Sequence, residues 1–304
     1  MKILRKIIKW MLISLLSIIV GVVGYGWYQA KSFDTITLPA DYGKVATEVF
    51  LGEGTGQPLL VGLGGAEGGN AWASDRWEAK RNAFVSDGYA FLALGYFGAP
   101  GTPEKLDRIS LDAVHEAIVT AAQHPQVEGR CIALIGGSRG AELALALASR
   151  YPDIKAVVAM VPGNAVFVGD TPSMETSAFT YHDTPLPYVP LPWSAVPDML
   201  RHDLRSAFEK MLRDSKAVQA ASIAVEQING PVYLMSADAD EMWPSTPMSD
   251  AMMERLQANG FAYYYAHDVF EGGHAAPLKH FDRVHAFLDE YFRTDRTGGC
   301  EAAR

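Results

Sequence analysis

The chain has 304 residues, enough for one large single-core domain or two small ones, and its 49% hydrophobic and 20% charged residues are those of a folded protein. Only 293–304, polar and without periodicity, is expected to be a flexible tail. The formal charge is −9, and setting aside Lys2, Arg5, Lys6 and Lys9 leaves 22 basic against 35 acidic residues, a body that would repel a phosphate backbone and so excludes nucleic acid as a partner.

The first element is an uncharged, mostly apolar stretch at 10–27, preceded by those four basic residues and flanked by Trp10, Tyr25, Trp27 and Tyr28. As a helix it would cover about 27 Å, close to the thickness of a bilayer core, with its aromatic residues where an interfacial belt lies. Residues 1–30 therefore read as an uncleaved membrane anchor, with the basic end inside and the rest of the chain outside the cytoplasm. A cleaved secretory signal is the alternative, and Tyr28-Gln29-Ala30 fits a cleavage site poorly.

From 31 to 292 apolar runs of strand length alternate with amphipathic runs of helix length, the signature of a doubly wound, mostly parallel α/β sheet. Strands are expected at 44–51, 58–62, 89–94, 131–135, 154–161, 231–236 and 261–266. Helices are expected at 74–86, 110–124, 139–150, 202–215, 247–258 and 278–293. The segment 162–197, rich in proline and aromatics, breaks this alternation. A loop this long within a compact domain is either a cap, here at about 162–200 and overhanging a site, or a stiff surface excursion. Cys131 falls in an apolar strand and Cys300 in the tail, so no bridge between them is expected.

Between the runs at 131–135 and 141–149 stands Gly136-Gly137-Ser138-Arg139-Gly140. The G-x-S-x-G spacing makes a strand-to-helix turn so sharp that its serine is strained and its neighbours can carry almost no side chain. Ser138 is thus the expected nucleophile, with the Arg139 N–H at the positive end of the following helix aimed at a developing oxyanion. The plainer alternative is a serine that caps a helix. A serine needs a base, and the base an acid that fixes its tautomer, in the chain order Ser, acid, His. His274, in Glu271-Gly272-Gly273-His274 just before the last helix, has the expected position, whereas His280 and His285 fall inside that helix and His267 at a strand end. Asp238, Asp240 and Glu241 follow the 231–236 strand. Asp240 stands where the loop bends toward the histidine, with Asp238 in reserve. The glycine-rich run Gly62 to Gly69 follows an early strand and offers the second oxyanion donor, the Ala66 N–H, with Gly65 next. It lacks the pattern of a phosphate loop.

With these residues in view, the chain resembles the C-terminal catalytic domain of the acyl-CoA thioester hydrolase and bile acid-CoA:amino acid N-acyltransferase family, which is close to the dienelactone hydrolases. The resemblance rests on Gly64-Gly65-Ala66-Glu67-Gly68-Gly69, Leu92-Ala93-Leu94-Gly95-Tyr96-Phe97-Gly98, the run from Gly136 to Ala144, Pro185-Leu186-Pro187-Tyr188-Val189-Pro190 and Met242-Trp243-Pro244. It implies an α/β-hydrolase fold and a Ser, Asp, His triad, which falls on Ser138, Asp240 and His274. It implies cleavage of a small acyl thioester or ester through an acyl-enzyme, with no metal or organic cofactor. Three departures stand out: a membrane segment replaces the β-sandwich of the animal enzymes, Ala237 replaces a glycine often found before the acid, and export separates the domain from cytosolic coenzyme A. An acyl-serine partitions to water more readily than an acyl-cysteine, so Ser138 points to hydrolysis over amino-acid conjugation. The alternatives are an exported carboxylesterase or dienelactone-type hydrolase, and a catalytically silent binding module on the same fold.

Overall fold

A computed structural model describes residues 2–293 and residue 300. The first described element is α1 (Lys2–Ser32), exposed from residue 3 to 29 and long and apolar enough to cross a membrane. Strands β1 (Ala46–Phe50) and β2 (Gln57–Leu63), helix α2 (Asp75–Ser86) and strand β3 (Ala90–Gly95) follow. Next come β4 (Ile109–Ser110), α3 (Leu111–Ala122), β5 (Val127–Gly137), α4 (Arg139–Ala148) and β6 (Ile154–Met160). The stretch 161–231 carries β7 (Phe179–Tyr181), β8 (Thr184–Pro185), α5 (Val196–Leu200), α6 (Leu204–Met211) and α7 (Ser215–Ala221). The chain then completes the layers with β9 (Val232–Ala237), α8 (Ser245–Ala258), β10 (Tyr265–Phe270) and α9 (Phe281–Phe287).

The main sheet has the order β1-β3-β2-β5-β6-β9-β10, with β1 antiparallel and every other pairing parallel. Both faces are covered, so β2 and β3 are buried at every position, and alternation along each strand sends successive side chains into different cores. Leu59, Val61 and Leu63 pack with α3, α4 and α8, whereas Leu60 packs with Phe84 of α2 and Phe281 of α9. A third cluster, around Phe167, Met211 and Trp243, joins the 161–231 stretch to the loop after β9.

Four expectations are corrected. The last strand is Tyr265–Phe270, not 261–266, because Phe261 stacks edge-on against Tyr263 and Tyr265 in the run-in instead of joining the sheet; His267 therefore lies within the strand. The 202–215 helix is two helices, since Asp214 accepts a hydrogen bond from the Ala217 N–H and starts α7 afresh. The last helix starts at Phe281: a 3-10 turn at Ala276–Lys279 comes first, and His280 stands outside α9, stacked on Phe270. Cys131 and Cys300 form a disulfide with Cα atoms 5.0 Å apart, because the Cys300 N–H returns to the Phe292 carbonyl and brings its side chain beneath β5. The remainder of the expected tail, 294–299 and 301–304, lies outside the described residues.

Candidate active site

The carboxyl ends of β2, β5, β9 and β10 gather the candidate residues at one edge of the sheet, where open α/β sheets place their sites. Ser138 occupies φ 55°, ψ −121°, a backbone region that a non-glycine residue enters only when its surroundings force it. Those surroundings are bare backbone. A Cβ on Gly136 would lie 2.2 Å from the Gly140 carbonyl oxygen, and one on Gly140 would lie 2.3 Å from that of Gly64. The two flanking glycines thus let α4 begin directly against the end of β2. This brings the Gly64 to Ala66 loop over the serine: a Cβ on Gly65 would stand 3.4 Å from that of Ser138. The first N–H groups of α4 lack intrahelical acceptors, and Arg139 supplies the one adjacent to Ser138.

Asp240 is almost fully buried, and its two carboxylate oxygens lie 2.8 and 3.0 Å from Nδ1 of His274. The N–H groups of Met242 and Trp243 donate to its Oδ1 at 2.9 and 3.2 Å. Burial alone would raise this carboxyl, but hydrogen bonds from His274 and Ser245 outweigh it and hold Asp240 below the usual carboxylate range. Asp238 and Glu241 are not loose carboxylates: Asp238 accepts from the Gly272 N–H and Glu241 from the His274 N–H, both at 2.8 Å. Three acids of one loop thus divide the work: Asp238 holds the backbone at Gly272, Glu241 that of His274, and Asp240 meets its ring. Ser138 and His274 line one cavity of about 300 Å³, together with Gly65, Ala66, Arg76 and Trp77. Among the described residues no hydrogen bond joins the Ser138 hydroxyl to the imidazole, as is common before substrate tightens such a site. Of the other histidines, His267 bonds Ser236 and Asp250 away from Ser138, and His285 bonds Asp87.

Ser138, Ala66 and Met242 also line a second cavity, of about 250 Å³, whose walls are largely apolar: Leu106, Leu191, Met199, Phe208. Sequence reasoning missed what holds this wall. Arg139 Nη1 donates to Glu142 at 2.8 Å and its Nη2 to the Val168 carbonyl at 3.0 Å, while Glu142 accepts the Phe167 N–H at 3.0 Å. Burial pushes the Glu142 carboxyl up to about 7 despite Arg139. The i,i+3 spacing of an arginine and a glutamate in an otherwise apolar helix was the available signal. Among the described residues no group of three His, Cys, Asp or Glu stands close enough to hold a metal ion.

A model of the BAAT / acyl-CoA thioester hydrolase C-terminal family matches residues 109–289, more than half of the chain. The chain belongs to this family. Mouse acyl-coenzyme A thioesterase 1 is 30% identical to this family member over 227 residues, covering 73% of this chain and 50% of the mouse protein. Mouse mitochondrial acyl-coenzyme A thioesterase 2 is 28% identical over 230 residues, covering 73% and 46%. The chain thus spans about half the length of the curated relatives it matches. Among solved structures, a Mycobacterium tuberculosis puromycin-hydrolyzing peptidase superimposes with a TM-score of 0.51 at 17% identity, over 78% of this chain and 35% of the other. A Pyrococcus furiosus esterase superimposes with a TM-score of 0.50 at 16% identity, over 82% and 93%. These similarities establish the α/β-hydrolase fold.

Proposed function

We propose that this family member is a membrane-anchored serine hydrolase that cleaves a small acyl thioester or ester. The observation that carries the reading is the buried Asp240 carboxylate bonded to Nδ1 of His274, with Nε2 left for a serine that lines the same cavity on a strained turn. The Ser138 oxygen attacks the acyl carbonyl as His274 Nε2 takes its proton, and the oxyanion is held by the N–H groups of Ala66 and Arg139, with Gly65 beside them. The tetrahedral species collapses, the proton on His274 passes to the leaving thiol or alcohol, and the acyl group remains on Ser138. Water, deprotonated by His274, then releases the acid and restores the serine. The acyl chain takes the apolar cavity and the leaving group the cavity of Arg76 and Trp77. The thioesterase names of the curated relatives favour a thioester.

A second reading, an exported esterase for oxygen esters, is favoured by the Cys131–Cys300 disulfide. Such bonds persist in oxidising compartments, away from cytosolic coenzyme A, and the basic residues at the start of α1 agree with a catalytic domain of 31–292 held outside. The experiment is labelling of wild type and Ser138→Ala by a fluorophosphonate probe, with hydrolysis of acyl-CoA and of short oxygen esters measured alongside. Labelling and turnover that both vanish in Ser138→Ala support the reading. An unlabelled, inactive wild type would leave a silent binding module, and labelling that survives the substitution would move the nucleophile elsewhere.

A further inference from the structure

The apolar cavity is roofed, through Leu191 and Met199, by the stretch that carries the 3-10 turn Trp193–Ala195 and α5. Met199 lines the cavity, while the next residue, Leu200, is 77% exposed and Trp193 is 82% exposed. Among the described residues outside α1, only Ile36 is a more exposed large apolar side chain, at 91%. Ile36 belongs to the segment that leaves α1, and that segment packs on the same part of the molecule. The Asp34 carbonyl accepts a hydrogen bond from Arg108 at 3.1 Å, and the Tyr42 hydroxyl bonds Thr180 and Asp183 of the β7–β8 hairpin at 2.7 and 2.9 Å. Residues 103–108 therefore form a shared wall, with 33–41 on one side and, through Leu106, the acyl cavity on the other. The roof is a distinct, pinned piece: buried Asp198 accepts from both Arg201 and Lys210, and Lys210 also holds the Ser194 carbonyl. Arg201 lies largely in solvent beside Leu200, where its cation could meet lipid phosphate.

We infer that the roof rests on the bilayer that α1 enters, with Trp193, Leu200 and Ile36 inserted at headgroup level, and that the acyl cavity fills from that bilayer. The substrate class is then a membrane-partitioned acyl ester or thioester rather than a freely soluble one. Three isolated apolar side chains on one roof and one linker cover too little area for a stable protein interface. They match a tryptophan-and-leucine interfacial anchor, and the segment that leaves α1 packs on the wall of the same cavity. The inference rests on the readings of α1 as an anchor and Ser138 as the nucleophile.

The test uses the full chain reconstituted in phosphatidylcholine vesicles, with p-nitrophenyl decanoate partitioned into the lipid and p-nitrophenyl acetate in the water. In Trp193→Ser/Leu200→Ser the apparent KM for the decanoate is expected to rise about tenfold, the equivalent of ~1.4 kcal/mol, with kcat/KM for the acetate unchanged. An unchanged decanoate KM, or equal losses on both esters, overturns the inference. Lipid insertion is read separately by quenching with brominated lipids, comparing wild type with Trp193→Phe: emission attributable to Trp193 should be quenched, and its persistence also overturns the inference. A wild type inactive on both esters would sink the hydrolase reading, and a chain washed off the vesicles by salt would sink the anchor, each separately visible from the roof's own result.

Discussion

Cys300→Ala removes the only cross-link among the described residues while leaving Cys131 as a small buried apolar side chain. The bridge joins residues 169 apart in sequence. In the chain-entropy model, opening a ring of that length returns ~17 cal/mol/K to the unfolded chain, about 5 kcal/mol at 25 °C, and measured losses for native bridges run at ~2–5 kcal/mol. With an m-value of ~3 kcal/mol/M, a loss of ~3 kcal/mol moves the urea midpoint down by about 1 M. The assay is tryptophan fluorescence against urea, in micelles, with and without reductant, for wild type and Cys300→Ala. Wild type under reductant should match the variant, and the variant should ignore reductant. Activity on a soluble ester should hold in native buffer, because Cys131 lies seven positions before Ser138, about 23 Å away along an extended strand. A midpoint that moves by less than ~0.3 M in Cys300→Ala, or one that still responds to reductant, would refute the reasoning.

Two other changes address the site. Asp240→Asn leaves the ring of His274 a partner of the wrong polarity and should lower kcat on a soluble ester by about 10⁴-fold with a modest change in KM, which steady-state kinetics checks. Because Asp240 is held below the usual range in the fold, it contributes stability at neutral pH that is lost as pH falls through its folded value, so the variant should show a shallower acid limb in urea midpoints. Glu142 has the opposite sign: its folded value lies at about 7 against an ordinary 4.5, so the fold holds the proton more tightly and loses stability as pH rises across that interval. In Glu142→Gln that downward slope should disappear, and midpoints measured from pH 5 to 8 that fall as steeply as in wild type would count against it.

The turn at Ser138 is legible in the sequence because its constraint is local: Gly136 and Gly140 meet backbone within the same few residues or at the end of β2. The fully buried strands are legible for a similar reason, since two covered faces demand unbroken apolar runs. Phe261, Tyr263 and Tyr265 satisfy the same composition rule, yet they stack on one another and the strand starts later, a choice made by packing partners that the run itself does not name. Asp238, Asp240 and Glu241 are chemically interchangeable in a sequence. Only the path of the Gly272-Gly273 loop decides which one meets an imidazole and which ones meet N–H groups. The return of Cys300 to β5 is the extreme case, a contact made across most of the domain.

That return closes a covalent ring from 131 to 300, and Ser138, Asp240, His274 and the whole roof over the apolar cavity lie inside it. A protease that cuts the chain once anywhere inside that ring would therefore release nothing. The two pieces would stay tied beneath the central strand and run as one species until reduced, so in an oxidising setting the loops around the candidate site can be cut without the chain coming apart.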